Sequence, residues 1–104
     1  MAASDSFEIR SNNIDKLITD VGELERPLLY DRENCVYSTR VRVALENHSV
    51  EYDEIWVPEA HDERDIVEEI TSQRAVPVML DPAAEREYFT DTDTMLTHIE
   101  ETYS

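Results

Sequence analysis

The sequence is poor in cysteine and in long apolar runs, and both scarcities exclude protein classes. Cys35 is the only cysteine, so the thiol must stay free, pair with another molecule or bind a shared ligand. No run of 18 apolar residues is present, and the first eight residues have neither the basic nor the apolar segment of a secretion signal. We therefore expect a cytoplasmic protein that is neither secreted nor inserted in a membrane.

Basic residues are also scarce. The chain has 9 Lys and Arg against 25 Asp and Glu, a formal net charge of −16, and Lys16 is the only lysine. Such an acidic surface repels phosphate, so nucleic acid and anionic membranes are not expected as partners. The carboxylates are spread among apolar positions rather than gathered in one block, which indicates a folded domain with an acidic surface.

This acidity, with almost no lysine, is typical of cytosolic proteins from salt-loving microbes, and we hypothesise a halophilic archaeon as the source. The free energy of unfolding is then expected to rise with KCl concentration, because salt screens the repulsion between carboxylates. Denaturation at low and at molar KCl measures this, and equal stability in both would contradict the hypothesis.

Hydrophobic spacing predicts an α/β fold with an N-terminal extension. Residues 1–26 form the extension, with a short amphipathic helix over 13–21 whose apolar residues recur at helical spacing. Residues 27–104 form one domain, in which a βαβ unit, a further helix, two strands and a closing helix predict a mixed four-stranded sheet covered on both faces. Its elements are strand 28–30, helix 35–47, strand 51–57, helix 61–70, strands 75–80 and 87–90, and helix 92–102.

Cys35 lies where the first strand of this domain meets the following helix. A sulfur at the first turn of a helix faces unpaired backbone N–H groups and the positive end of the helix dipole, and both stabilise a thiolate. Cys35 is therefore a candidate reactive thiol. On the same helix Arg42 is expected to pair with Glu46 at i+4.

Pro77 lies inside a predicted strand, where proline cannot donate to the sheet. A cis Val76–Pro77 bond would turn the backbone N–H and carbonyl of Val76 outward, toward an extended ligand. A trans proline at the first residue of an edge strand is the alternative, and composition alone favours it.

Three motifs together resemble a known family. They are the run from Leu29 to Arg42 with Cys35 at its centre, the Val76–Pro77 pair, and the Asp91–Thr92 pair before the last helix. In this order and spacing they resemble glutaredoxins and the N-terminal domain of glutathione transferases over residues 27–103. The resemblance implies a thioredoxin-like fold, βαβαββα, with the extra N-terminal helix preceding it, and a cis proline.

The resemblance also implies residue roles near the thiol. Cys35 matches the nucleophile, and Ser38 stands where dithiol glutaredoxins carry their resolving cysteine. Tyr37 matches the aromatic residue of the active-site loop, and Arg32 matches a basic residue that faces the thiol and the glycine carboxylate of glutathione. Arg32, Tyr37 and Ser38 are thus the predicted thiol-activating residues.

Other matched residues are implied to bind the small thiol. Val76 and Pro77 pair with the cysteinyl backbone of glutathione, Asp91 and Thr92 hold its γ-glutamyl end, and Asp93 takes the ammonium group. Arg32 could serve the C-terminal carboxylate of glutathione or of γ-glutamylcysteine, so either remains a candidate co-substrate.

The function implied is a monothiol thiol–disulfide oxidoreductase that reduces mixed disulfides on client proteins through Cys35, as a monomer with no tightly bound cofactor. Val36 and Tyr37 replace the Gly-Phe of the iron–sulfur-binding class, which disfavours a cluster. The helical second domain of the transferases has no counterpart here, so transferase chemistry is not expected. The alternative is a non-catalytic binding module for a small thiol, a shared iron–sulfur cluster or a partner protein. No metal site is predicted, since His48, His61 and His98 share no ligand spacing.

Overall fold

A central sheet carries the helices on its two faces in the computed structural model, which describes residues 7–11, 13–32, 34–59, 64–73 and 75–103. A single 3-10 turn, Val21–Glu23, precedes the main domain. The strands and helices are, in chain order, β1 (Glu8–Ile9), β2 (Leu28–Asp31), α1 (Val36–Asn47), β3 (Asp53–Trp56), α2 (Asp65–Thr71), β4 (Val78–Leu80) and α3 (Thr92–Tyr103).

The sheet has four strands in the order β1-β3-β2-β4. β2 and β3 are parallel, whereas β1 lies antiparallel to β3 and β4 antiparallel to β2. The parallel pair is joined through α1, as a parallel connection requires. The mixed four-stranded sheet expected from the sequence is therefore confirmed.

Alternating residues of β2 supply two separate hydrophobic cores. Leu29 faces α1 and α3, where it packs with a group of fully buried side chains. Leu28 and Tyr30 face the opposite side, toward α2 and the N-terminal segment. The first core includes Val41, Leu45, Met79, Met95 and Ile99, and the second includes Phe7, Ile18, Leu24, Ile55, Val67, Val78 and Leu80.

The amphipathic helix predicted over 13–21 is wrong, because residues 13–20 have no regular structure. The segment is held by polar contacts to the sheet instead: Asn13 Nδ2 donates to Asp53 Oδ1 at 3.1 Å, and Tyr30 Oη donates to the Ile18 carbonyl at 2.9 Å. Ile18 is buried in the second core, so the apolar spacing reflects core contacts rather than a helix. Tertiary contacts override a helical pattern in a short segment.

The strand predicted over 87–90 is also wrong in extent. Phe89 alone pairs with Met79, through N–H···O bonds of 3.0 and 2.7 Å in the two directions. The connection from Leu80 begins with a turn in which Asp81 Oδ1 accepts the Ala83 N–H at 2.9 Å, and the chain then stays exposed until it nears the sheet. The fourth strand of the sheet is therefore β1, at the opposite edge.

The other elements agree with the expected positions to within a few residues. α2 begins at Asp65, and the predicted helical residues 61–63, with His61, lie outside the described part of the chain. Among the described residues, none of the helices is both long enough and apolar enough to cross a membrane.

Candidate functional site

Cys35 is the N-cap residue of α1, at the carboxyl end of β2. Its backbone is extended, with φ −91° and ψ 120°, and its carbonyl accepts the Thr39 N–H at 2.9 Å as the first helical hydrogen bond. The side chain is half-buried. The thiol therefore lies among the free N–H groups of a twelve-residue helix, where negative charge is stabilised.

The surroundings of Cys35 favour its thiolate. Burial opposes ionisation, but hydrogen bonds from the Ser38 hydroxyl and from the N–H groups of Ser38 and Tyr37, together with the charge of Arg42, outweigh it and lower the pKa of the thiol. Ser38 Oγ is enclosed and has no other hydrogen-bond partner within the described chain.

Arg42 lies between α1 and the sheet, and sequence reasoning missed this position. Its Nη1 donates to Asp31 Oδ2 at 2.6 Å and to the Arg32 carbonyl at 3.1 Å, and its Nη2 donates to Thr39 Oγ1 at 2.9 Å. Glu54 Oε2 is 3.5 Å from the same Nη1. The expected surface pair with Glu46 is replaced by these buried contacts.

The strand register explains the position of Arg42. Asp31 is the last residue of β2, and its partner on the parallel strand β3 is Trp56. Glu54 lies two residues before Trp56, so the side chains of Asp31 and Glu54 lie on the same face of the sheet, which is the face that α1 covers. Carboxylates enclosed on one sheet face need a cation from the covering helix.

Asp31, the last residue of β2, is fully buried. Burial, followed by the hydrogen bond and the charge of Glu54, raises the pKa of Asp31 to about 9, although Arg42 acts in the opposite direction. The neutral, protonated form of Asp31 is therefore favoured at physiological pH.

Two further guanidinium groups lie near the thiol. Arg64 is buried, and it donates from Nε to the Pro58 carbonyl at 2.9 Å and from Nη2 to the Glu59 carbonyl at 3.2 Å. Burial and the charge of Arg32 lower the pKa of Arg64, whereas the charge of Cys35 raises it. Arg42 is the cation that contributes to the lowered pKa of Cys35, and the thiol-activating role of Arg32 stays a prediction.

A groove of about 250 Å³ opens beside the first turn of α1. The Val76–Pro77 bond at its wall is cis, the geometry that the family resemblance implied. Six of the predicted site residues line this groove, together with Arg40 and Thr90, which the sequence did not suggest. The lining residues are Tyr37, Arg40, Val76, Pro77, Thr90, Asp91, Thr92 and Asp93.

Asp91 also has a structural role as the N-cap of α3. Its Oδ2 accepts both the N–H and the hydroxyl of Thr94 at 2.9 Å, and these hydrogen bonds, the N–H first, lower its pKa. Asp93 Oδ1 lies 3.8 Å from Arg40 Nη2. The groove therefore presents two carboxylates and one guanidinium, a charge set suited to a zwitterionic ligand.

A larger cleft of about 500 Å³ lies at the opposite end of the sheet, near His48 and Pro82. Its wall contains Asp81, which is fully buried and accepts hydrogen bonds from Tyr103 Oη at 2.7 Å and interacts with His98 Nε2 at 2.6 Å. These contacts join α3 to the end of β4. None of the predicted site residues lines this cleft.

Comparison with known proteins gives one family and a common fold. The model of the glutathione S-transferase N-terminal domain family matches residues 29–104. Among curated proteins, none matches the sequence.

Several solved structures share the fold at low sequence identity. Ure2p in complex with glutathione aligns with a TM-score of 0.64 at 17% identity, covering 76% of this chain and 32% of that one. A glutathione transferase from Phanerochaete chrysosporium with oxidised glutathione aligns with 0.66 at 16% identity, covering 75% and 36%. The glutaredoxin from Archaeoglobus fulgidus aligns with 0.55 at 17% identity, covering 72% and 86%.

These alignments establish a thioredoxin-like fold, as the sequence predicted. The chain spans about a third of the length of Ure2p and of the fungal transferase, whereas it spans most of the archaeal glutaredoxin.

Proposed function

Because the chain belongs to the glutathione S-transferase N-terminal domain family, we propose that it is a monothiol thiol–disulfide oxidoreductase that reduces mixed disulfides between client proteins and glutathione. The observation that carries this proposal is the Cys35 thiol, which lies at the N-terminus of α1 with a lowered pKa, beside the groove of Val76–Pro77 and Asp91–Asp93. The single cysteine and its lack of a disulfide partner in the chain suit a cytoplasmic setting.

The reaction proceeds in two exchanges. The Cys35 thiolate attacks the glutathione sulfur of the mixed disulfide, so that a bond forms between these two sulfurs and the client leaves as a thiolate that takes a proton from water. A second glutathione thiolate then attacks the glutathione sulfur bound to Cys35, releasing glutathione disulfide and the Cys35 thiolate. In total the sulfur of the second glutathione is oxidised, the client sulfur is reduced to a thiol, and the glutathione of the mixed disulfide leaves as half of glutathione disulfide.

The lowered pKa of Cys35 matters most in the second exchange. A lower pKa raises the thiolate fraction, but it reduces intrinsic nucleophilicity with a Brønsted slope of about 0.4–0.5, so the two effects on attack nearly cancel. The remaining effect of the lowered pKa is that the Cys35 thiolate is a better leaving group in the second exchange. Ser38 occupies the position from which a second cysteine would resolve the adduct, so an external thiol must do so.

The groove, together with Arg32 outside it, supplies contacts for each part of the small thiol. The backbone of Val76 would pair with the cysteinyl unit, and the N–H and hydroxyl of Thr92 would bind the γ-glutamyl carboxylate at the N-terminus of α3. Asp93 would bind the ammonium group, and Arg32 the C-terminal carboxylate of glutathione or γ-glutamylcysteine. Glutathione complexes of Ure2p support this choice of ligand.

Client proteins would meet an apolar surface next to the thiol. Val36 is 71% exposed and Tyr37 is 58% exposed, both in the first turn of α1, and Val43 follows at 47% two turns later. Apolar side chains so exposed beside a reactive thiol suit transient contact with a protein substrate.

A glutathionylated peptide, incubated with the protein and excess glutathione, tests the proposal. We expect faster release of the peptide thiol than without the protein, and mass spectrometry of a reaction quenched by acid should find one glutathione on Cys35. Thr92→Ala should raise the KM for glutathione, while Thr97→Ala, an exposed threonine of α3 outside this groove, should not. Binding of glutathione without adduct or turnover would overturn the proposal in favour of a binding module.

A further inference from the structure

Two enclosed carboxyl oxygens beside Arg42 have no hydrogen-bond partner within the described chain. Asp31 Oδ1 and Glu54 Oε2 are both shielded from solvent, and neither makes a hydrogen bond within the described chain. The hydrogen bond and the charge of Glu54 contribute to the raised pKa of Asp31, as expected for two neighbouring carboxyl groups. Both also contact one guanidinium, since Arg42 Nη1 is 2.6 Å from Asp31 Oδ2 and 3.5 Å from Glu54 Oε2.

Full ionisation of all three groups would be unfavourable. Two carboxylates against one guanidinium leave an uncompensated negative charge, and Asp31 has no access to water. One proton between Asp31 Oδ1 and Glu54 Oε2 would make the group neutral and would give both unpartnered oxygens a hydrogen bond. One added proton would thus remove the single excess charge and join the two unpartnered oxygens by one hydrogen bond.

We propose that Asp31 and Glu54 share one proton at neutral pH, and that this proton leaves the positive charge of Arg42 able to stabilise the Cys35 thiolate. Asp31, Glu54 and Arg42 then act as positioning residues, which set the ionisation of the thiol without touching the substrate. The raised pKa of Asp31 supports the same assignment. The inference concerns the state of the thiol and holds whether or not Cys35 exchanges disulfides.

Other polar and titratable groups surround the triad of Asp31, Glu54 and Arg42. Thr39 and the Arg32 carbonyl hold the Arg42 guanidinium from α1 and from the loop that precedes it. Tyr52, just before β3, donates to Glu46 Oε2 at 3.3 Å, and burial followed by the charge of Glu54 raises the pKa of Tyr52, which stays neutral. A single proton therefore determines the net charge of the group formed by Asp31, Glu54 and Arg42.

Thiol titration in a set of charge variants tests the proposal. Glu54→Gln and Asp31→Asn each remove one carboxyl group, and the remaining one ionises, so the net charge of the group stays zero. The pKa of Cys35, measured from thiolate absorbance, should then move by less than about half a unit in each single variant. The double variant removes both carboxyl groups from beside Arg42 and should lower that pKa by about half a unit or more. Glu46→Gln, an exposed carboxylate on α1, is the matched control and should leave it unchanged.

Each alternative charge state gives a different pattern. If both carboxylates were ionised, each single variant would already lower the pKa of Cys35, which would overturn the proposal. If both were protonated, the double variant would match the wild type, which would overturn it as well.

An infrared spectrum of the wild type provides a readout that does not depend on the variants folding. At pH 7 exposed carboxyl groups are ionised, so a band from a protonated carboxylic acid should arise from this pair. That band should be present in the wild type and in Glu46→Gln, and Glu54→Gln should lack it. Its absence from the wild type would overturn the proposal.

Discussion

Replacing Cys35 with serine is expected to reduce the turnover of a glutathionylated peptide by roughly 10³-fold or more, to the rate of uncatalysed exchange. A serine hydroxyl is not ionised near neutral pH and cannot form the sulfur–sulfur bond of the intermediate. No other cysteine in the chain can replace it. The measurement is the initial rate of peptide thiol release at fixed glutathione, with circular dichroism to show that the variant is folded.

Ser38→Ala is the matched control for this experiment. It removes a hydroxyl from the same helical turn, and that hydroxyl is one of the groups that lower the pKa of the thiol. We expect this variant to retain turnover while the pKa of Cys35 rises, which the pH dependence of alkylation would report. A Cys35→Ser protein that keeps the wild-type rate would exclude the thiol as the nucleophile.

Arg42→Met is expected to lower the free energy of unfolding by about 3 kcal/mol and to raise the pKa of Cys35. The stability loss arises because Asp31 and Glu54 would lose their counterion in a buried position. The pKa change arises because the charge of Arg42 is one of the groups that stabilise the thiolate. Urea denaturation measures the first effect, and alkylation of Cys35 as a function of pH measures the second.

Arg40→Met controls for the loss of an arginine from the same helix. Its side chain is half exposed, and its ion pair is with Asp93 at 3.8 Å, so we expect a change within about 0.5 kcal/mol and no shift of the thiol titration. Arg42→Lys should retain part of the effect on the thiol, because it keeps the charge but not the forked contacts. Equal stability of the Arg42→Met and Arg40→Met proteins would contradict the buried role of Arg42.

Local signals predicted the elements that form the site. α1 and α3 begin within one residue of their expected positions, because Cys35 and Asp91 each precede a helix with a clear apolar stripe. The spacing of Val76–Pro77 and Asp91–Thr92 relative to Cys35 also predicted which residues line the groove. These features depend on short stretches of sequence and on a fold that places them together.

Features that depend on distant contacts were not predicted. The apolar spacing of residues 13–21 suits a helix as well as a segment pressed against the sheet, and only the contacts of Asp53 and Tyr30 with that segment decide between them. In the sequence, Arg42 cannot be distinguished from an arginine on an exposed helix surface. Only the strand register shows that Asp31 and Glu54 lie on the sheet face that α1 covers. A one-dimensional pattern does not contain that register.

The placement of β1 has a consequence for self-association. An unpaired edge strand offers a row of free N–H and C=O groups on which another chain can build a sheet. β1 covers the outer edge of β3 with only two residues, of which Glu8 is charged, and the charged Arg10 follows it. At the other edge Phe89 pairs with Met79 of β4. The segment before the main domain therefore shields the sheet from intermolecular strand addition, and its removal would expose β3 to aggregation.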